Sequence, residues 1–444
     1  MIFHPIADVP VDPVRGLVHA HGWQSWTPTT TLPVTGRGFR PVLPIMQTMR
    51  YRPGLPAPGD GFQGEGLLAV APGPDGPVRL FTARDGLAAV PSIRARLVGD
   101  RLTVTADEPD EVVEKSFPGP LDAALAAFAD GLRAGAGVGP PRTPPTVWCS
   151  WYHYYENVTE DDVLENLREI GAHDLPVDVV QIDDGWQAAI GDWLTPSGRF
   201  SSMPRLAARV HAEGRRAGLW VAPFVVGARS ALARAHPEWL VGDAGHNWDQ
   251  DLYGLDVTHP GAAAYLREVF QTLCGWGFDY FKLDFLYASA VAGRRHSGAS
   301  PIAAYREGLA LVREAVGPGP YMLGSGAPIL PSVGLVEAMR VAPDIAPHYD
   351  AGTGDLSDPA QRAAALTTTG RSWQHGRLWV NDPDCLLARP AVQHREDWSL
   401  VVERYGGLRA SSDRIADLDG WGLDTTRRLL STVPPPTPFP LVTP

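Results

Sequence analysis

The sequence predicts an α/β fold: a (β/α)8 TIM barrel preceded by an N-terminal β-rich, β-sandwich-like domain. Three observations carry this expectation. From residue 144 onward, short apolar runs alternate with segments of helical periodicity. Acidic motifs recur where those runs give way to polar residues, as in Gln181-Ile182-Asp183-Asp184-Gly185-Trp186 and Phe281-Lys282-Leu283-Asp284-Phe285. A βαβα chain that delivers carboxylates to successive strand ends is how such a barrel builds a site. Before residue 136 the pattern differs, with dense Gly and Pro punctuation between short strand-like runs.

The elements follow in order. In residues 1–135 the runs 67–71, 78–81 and 102–105 read as strands, and 121–132 as a helix. Residues 136–143 form a linker. The Gly135-Ala136-Gly137-Val138-Gly139-Pro140-Pro141 stretch around its start resembles a phosphate loop only superficially, because no strand feeds it and Pro-Pro follows. The barrel occupies 144–432. Its strands are expected at 146–151, 177–182, 218–222, 278–283, 321–324, 338–341, 377–380 and 406–410. Thr159, with Asp162 three residues on, caps the first helix, whose apolar stripe is Val163, Leu167 and Ile170. Further helices are expected at 206–217, 262–273, 302–316, 360–368 and 424–430. Eight strand-like units in about 290 residues suit a closed barrel. The Pro-rich tail 433–444 reads as irregular, and a sizeable C-terminal β-domain is expected to be missing or vestigial.

Composition narrows the function classes. Hydrophobic residues make up 44% and charged residues 20%, the balance of a globular protein. A net charge of −12 argues against nucleic acid as a partner. No apolar run reaches the length of a membrane span and no signal peptide is visible. The three cysteines, Cys149, Cys274 and Cys385, are widely spaced, so neither a disulfide framework nor a zinc site is indicated and the cytoplasm is the simplest compartment. The 14 tryptophans are a heavy load, and Trp148, Trp151, Trp186, Trp193 and Trp220 flank the acidic motifs. Each can be core packing. As a set near carboxylates they also suit the C–H face of a sugar.

Lys282 and Asp284 are two apart, so both side chains point to one face of a strand. This is either an ion pair closing the barrel interior or a nucleophilic carboxylate kept ionised by its cation. Asp183 and Asp184 stand at a strand-to-loop transition, where both can reach a pocket and accept hydrogen bonds from sugar hydroxyls; a helix cap or a metal site are the other readings. Asp344 lies 60 residues beyond Asp284, two strands onward. There it can oppose Asp284 across the mouth, at the roughly 5–5.5 Å that a retaining glycosidase needs, or simply cap a loop. Burial and the Asp284 charge would raise its pKa, as a general acid requires. Arg340, four residues earlier, can clamp a hydroxyl.

These motifs resemble glycoside hydrolase clan D, specifically the family 36 α-galactosidases. The matching segments begin at Trp148-Cys149-Ser150-Trp151-Tyr152, Asp183-Asp184-Gly185-Trp186, Gly191-Asp192-Trp193, Phe281-Lys282-Leu283-Asp284-Phe285, Leu323-Gly324-Ser325-Gly326, Met339-Arg340-Val341-Ala342-Pro343-Asp344 and Asn381-Asp382-Pro383-Asp384-Cys385, in the family's order. The resemblance implies Asp284 as nucleophile and Asp344 as acid/base. It implies Asp183, Asp184, Lys282, Arg340 and Trp220 as galactose-binding, with Trp151, Trp193 and Ser325 beside them. Family members often carry Cys where Ser325 stands. His21-Gly22-Trp23-Gln24-Ser25-Trp26 resembles the N-terminal segment that reaches over the active site, so Trp23 or Trp26, and Trp26 above all, is expected at the pocket.

The implied activity is retaining hydrolysis of terminal α-galactosides, small or oligosaccharide, through a covalent glycosyl-enzyme. No cofactor and no metal are implied, and homo-oligomers are compatible with the resemblance. Two alternatives stand beside it: transfer of galactose to a sugar acceptor, as in raffinose and stachyose synthases, and a non-catalytic sugar-binding protein. A metal-dependent barrel enzyme is disfavoured because no His or Glu accompanies the strand-end carboxylates and Lys282 would repel the cation. No Gly-x-Ser-x-Gly elbow supports a serine hydrolase.

Overall fold

Alternation of side chains decides how the N-terminal half packs. A computed structural model describes residues 2–74 and 76–440. Within it, Leu67–Ala71 pairs on one side with Leu17–Ala20 and on the other with Val78–Ala83, in a five-stranded antiparallel sheet that also holds Thr30–Pro33 and Val112–Phe117. Leu68, Val70 and Phe81 face a second, four-stranded sheet and meet its Phe62, Ile93, Leu102 and Val104. Leu67, Ala69 and Leu80 point the other way and join the barrel-side core with Leu125 and Ala129 of the helix Leu121–Gly135. Because successive residues on a strand face opposite sides, this sheet is covered on both faces and is apolar in both registers. Each fully buried Leu, Val or Phe contributes about 1.5–3 kcal/mol, so the sandwich and the barrel are joined by core, not by a hinge.

Eight parallel strands follow: β1 (Thr146–Cys149), β2 (Val179–Ile182), β3 (Arg216–Val221), β4 (Phe278–Leu283), β5 (Tyr321–Gly324), β6 (Ala338–Arg340), β7 (Val380–Asp382) and β8 (Arg409–Ser411). They pair in the order β7-β6-β5-β4-β3-β2-β1-β8. The seam between β7 and β8 is closed by single bonds: Asn381 O accepts from Gly407 N (3.0 Å) and Leu408 N (2.9 Å), and Leu386 N donates to Ala410 O (2.7 Å). This is the (β/α)8 barrel with an N-terminal β-rich domain that the sequence predicts. Register sets the heights of functional side chains: Trp220 pairs with Lys282 across β3 and β4, and Arg340 with Asp382 across β6 and β7.

Local signals place the helices. Thr159 and Asp162 form a reciprocal capping box on Glu160–Ala172, a device worth ~1 kcal/mol. The helix expected at 206–217 is instead Met203–Ala212, because Gly214 turns at φ 73 and β3 already begins at Arg216. β7 lies three residues later than the expected 377–380, since Gly376 (φ 69) holds Arg377–Trp379 in a turn. β8 begins at Arg409 rather than Gly406, after a helix, Arg395–Tyr405, that the sequence did not announce. A second addition is an antiparallel sheet between β3 and the helix Pro260–Gly275, made of Val225–Gly227, Leu240–Asn247 and Gln250–Leu255. Residues 433–440 carry no helix or strand; the rest of the expected irregular tail lies outside the described residues. Among the described residues no helix is long and apolar enough to cross a membrane.

Candidate active site

The C-terminal ends of β2, β3, β4, β6 and β7 converge on one cluster of charges. Asp183 and Asp184 follow β2 directly. Asp183 is fixed through its backbone N–H to Ser150 Oγ (2.9 Å), and its Oδ2 accepts from Gln181 Nε2 (2.6 Å), Lys282 Nζ (2.9 Å) and Cys149 Sγ (3.3 Å). Lys282 therefore lies closer to Asp183 than to Asp284, whose Oδ2 is 4.0 Å away. The single ion pair expected from the sequence is a bridge between two carboxylates. Burial works against the charged amine, but the carboxylates of Asp183 and Asp284 outweigh it and hold Lys282 protonated well above the usual lysine range.

Asp284 stands one residue past β4. Trp220 Nε1 donates to its Oδ2 (3.0 Å) and the backbone N–H of Phe285 to its Oδ1 (2.9 Å). Phe285 sits at φ 51, a left-handed conformation that a bulky residue adopts only under constraint. In that turn the Phe285 N–H comes within reach of the Asp284 carboxylate and holds it at the end of β4. Trp193, expected beside the sugar, is only 1% exposed. Its ring lies between those of Trp186 (6.3 Å) and Trp220 (5.8 Å), so it supports Trp220 from behind. Trp151 is half-buried and meets Tyr155 edge-on at 5.2 Å, on the short helix after β1.

Asp344 follows β6 and keeps 35% of its side chain open. Arg340 Nη1 binds its Oδ1 at 3.0 Å, but the same guanidinium also reaches Asp384 (2.8 Å) and Asp382 (3.1 Å). Arg340 is thus the hub of three carboxylates, and its charge is committed before any sugar arrives. Surrounding protein first, and then the charge of Asp384, push the Asp344 carboxyl up to about 6, with Arg340 pulling the other way and Asp284 adding to the rise. Asp384 is itself pinned by Ile345 N (2.9 Å), Cys385 N (2.7 Å) and Tyr152 OH, in a backbone at φ 97. The Asn381-Asp382-Pro383-Asp384-Cys385 motif is the sequence signal for the two carboxylates that hold Arg340.

The N-terminal domain reaches the barrel mouth. Trp26 meets Phe285 edge-on at 5.1 Å and Tyr287 at 6.2 Å. A Cβ on Gly326 (φ 53) would lie 2.9 Å from the Trp26 ring, so only glycine permits that approach. Trp26 Nε1 and Ser325 Oγ are both buried without a hydrogen-bond partner among the described residues. Such groups are costly to leave unmade. Trp23 is turned away and lies under the Arg52 guanidinium at 4.6 Å.

Backbone bonds tie this segment to the loop after β5, Ser25 N to Ala327 O (3.2 Å) and Ile329 N to Trp23 O (3.1 Å), and one side chain gathers its remaining carbonyls. Arg371, fully buried, donates to the carbonyls of Ser25 (2.7 Å), Gln24 (2.9 Å), Thr27 (3.1 Å) and Gly22 (3.4 Å), and to Val341 O beyond β6 (3.0 Å). Burial lowers its pKa to about 9, with no carboxylate offsetting the loss of water. Arg371→Ala leaves these carbonyls buried without their donor. At ~1–3 kcal/mol for each unsatisfied group, a loss of stability of at least ~3 kcal/mol is expected as a lower urea midpoint. An unchanged midpoint would show that the segment is held by other contacts.

Among the described residues no three His, Cys, Asp or Glu side chains converge as a metal site. Lys282 and Arg340 supply the positive charge that faces the carboxylates. Sequence reasoning did not find Arg371, Gln187 or Trp248. Gln187 Nε2 donates to Asp184 Oδ1 (2.6 Å) and Trp248 Nε1 to Asp184 Oδ2 (2.8 Å).

Comparison with known proteins agrees with this architecture. The profile of the melibiase family matches residues 141–312. An α-galactosidase of Escherichia coli is 31% identical over 147 residues, which is 30% of this chain and 20% of that protein. The bifunctional α-galactosidase/sucrose kinase AgaSK of Mediterraneibacter gnavus is 32% identical over 105 residues, 22% of this chain and 11% of that protein. These matches span only a tenth to a fifth of those curated relatives. Among solved structures, the α-galactosidase TtGalA of Thermus thermophilus, in complex with p-nitrophenyl α-D-galactopyranoside, superposes with a TM-score of 0.80 at 32% identity, covering 97% of this chain and 87% of that one. The family 36 α-galactosidase AgaA of Geobacillus stearothermophilus shares the fold, with a TM-score of 0.63 at 13% identity, over 96% of this chain and 61% of its own. With a relative of this identity matched along nearly its whole length, and with the barrel and its N-terminal sheets in common, the chain belongs to the melibiase family, the family 36 α-galactosidases.

Proposed function

We propose that the chain hydrolyses terminal α-galactosides with retention of configuration, by double displacement. One observation carries the reading. Two carboxylates, Asp284 and Asp344, serve one mouth in unlike surroundings: Asp284 receives two N–H donors with Lys282 beside it, whereas Asp344, partly open, is pushed up to about 6 by the surrounding protein and the charge of Asp384. Unlike surroundings for a pair of carboxyls are how one site holds a nucleophile and a general acid together. In this reading Asp284 attacks the anomeric carbon while the Asp344 proton passes to the leaving oxygen. Water then attacks the galactosyl ester of Asp284, and Asp344 takes its proton. Asp183, Asp184 and Lys282 supply acceptors and donors for sugar hydroxyls, with Trp26 and Ser325 packed behind them. Trp220 orients Asp284, and Arg340 sets the charge around Asp344.

The substrate class rests on the family and on TtGalA, which has been solved with p-nitrophenyl α-galactoside and with stachyose. Turnover of four nitrophenyl glycosides tests it: the α-galactoside, the α-N-acetylgalactosaminide, the α-glucoside and the β-arabinopyranoside. The α-galactoside is expected to be the best substrate, with the β-arabinopyranoside, which is an α-galactoside lacking its C6 group, behind it. Preference for the α-glucoside or the N-acetyl substrate would overturn the assignment of sugar.

A further inference from the structure

We infer that Trp248 is a positioning residue of the site, which orients Asp184 from the tip of the Leu240–Leu255 hairpin. The inference rests on the proposed glycosidase reading. Asp184 is an acceptor with its two oxygens fixed from opposite sides. Gln187 Nε2 donates to Oδ1 (2.6 Å) from its own loop, and Trp248 Nε1 donates to Oδ2 (2.8 Å) from a hairpin 64 residues away. A carboxylate oxygen has more than one acceptor direction. With one taken on each oxygen, the others are left to present a defined pair of acceptors to neighbouring sugar hydroxyls. The indole ring completes the arrangement. It packs on Phe285 (4.9 Å) and on Trp220 (6.4 Å), the two residues whose N–H groups hold Asp284. One side chain therefore links the sugar-binding carboxylate to the supports of the nucleophile.

The backbone shows that this placement is enforced. Trp248 and Asp249 both lie in the left-handed region, at φ 50 and φ 53. A two-residue hairpin turn of that kind favours Asn-Gly or Asp-Gly, because a bulky side chain is disfavoured there. Here tryptophan occupies the first position. The turn is held by Trp248 N–H on Asn247 Oδ1 (2.9 Å) and by Arg229 Nη2 on the Trp248 carbonyl. Strain of this kind persists where the surroundings over-determine it, and functional sites are such places. Burial first raises the Asp184 carboxyl to about 6, while the Gln187 and Trp248 donors pull it down. The other charges facing it are Asp183 and Glu156, both raising it, and Lys282 beyond Asp183.

Trp248→Phe keeps a ring in place and removes the N–H. KM for nitrophenyl α-galactoside is expected to rise about 10-fold, with kcat changed less than about threefold, as for loss of a hydrogen bond to a charged group used in binding. The Asp184 carboxyl, followed by carbon NMR of enzyme labelled on aspartate and assigned with Asp184→Asn, is expected to titrate at higher pH in W248F, since a donor to its charged form is gone. Trp248→His, which keeps a ring N–H, should recover most of the loss in KM. An unchanged Asp184 titration and an unchanged KM in W248F would overturn the inference. If the unaltered protein turned over no α-galactoside, the glycosidase reading would fall, while the NMR titration would still decide whether Trp248 sets Asp184.

Discussion

Asp284→Ala leaves the protein inactive on α-galactosides, with kcat/KM lower by on the order of 10⁵-fold, and added azide restores turnover with β-galactosyl azide as the product. The expectation follows from geometry. The Asp284 carboxylate leaves the end of β4 on a turn held by Phe285 at φ 51, and Trp220 Nε1 fixes its far oxygen at 3.0 Å. If Asp284 is the nucleophile proposed above, removing its carboxyl opens a space on the face of the anomeric carbon opposite the leaving group. A small anion in that space attacks once, without the second displacement, and so inverts the configuration. Asp344, the proposed general acid, is untouched, so the leaving group is expected still to depart with help. Azide product of retained α configuration would mean that a different group is the nucleophile.

Asp344→Ala is expected to lose about 10²–10⁴-fold in kcat/KM on substrates whose leaving group is a sugar, and much less on activated phenols. A sugar alkoxide needs its proton in the transition state, whereas a nitrophenolate departs almost unaided. The pH profile provides a second readout. Asp344, pushed up to about 6, must carry its proton to act as acid, so kcat/KM falls as pH rises above about 6. Asp184, also raised to about 6, accepts hydroxyls best when ionised, so kcat/KM falls again below that pH. The result is a narrow bell, whose limbs belong to interacting groups and not to one residue each. In Asp344→Ala, assayed with an activated phenol, the alkaline limb should disappear. Equal losses on both kinds of leaving group, with that limb retained, would remove Asp344 from the role.

Periodicity made most of the fold legible. β4 and β5 fall at the expected residues because each is an apolar run bounded by polar or Gly-Pro segments. The Thr159–Asp162 capping box marked its helix start in four letters. β6, β7 and β8 are only three residues long, too short for a period to register, and the last two moved along the chain. The Leu240–Leu255 hairpin was missed because Gly242 and Gly245 interrupt its alternation and its turn, Asn247 to Gln250, contains no glycine. In the candidate site, Asp183, Asp184, Lys282, Asp284, Arg340 and Asp344 could be picked out because each lies at or shortly beyond the C-terminal end of a barrel strand, where topology brings side chains to the mouth. Pairings were less visible than membership. The tight contact of Lys282 is Asp183, 99 residues away, and Arg340 is shared by three carboxylates. Trp248 and Arg371 left no local trace, since one acts from a hairpin tip and the other through carbonyls some 350 residues earlier in the chain. Only tertiary packing brings such groups to the site.

The stereochemistry of the first product formed tests the central claim most directly. Proton NMR of nitrophenyl α-galactoside turnover, recorded before mutarotation proceeds, should show α-galactose first and the β-anomer growing in later, because two displacements at one carbon restore its configuration. β-Galactose as the first product would mean a single displacement by water and would contradict a covalent intermediate on Asp284.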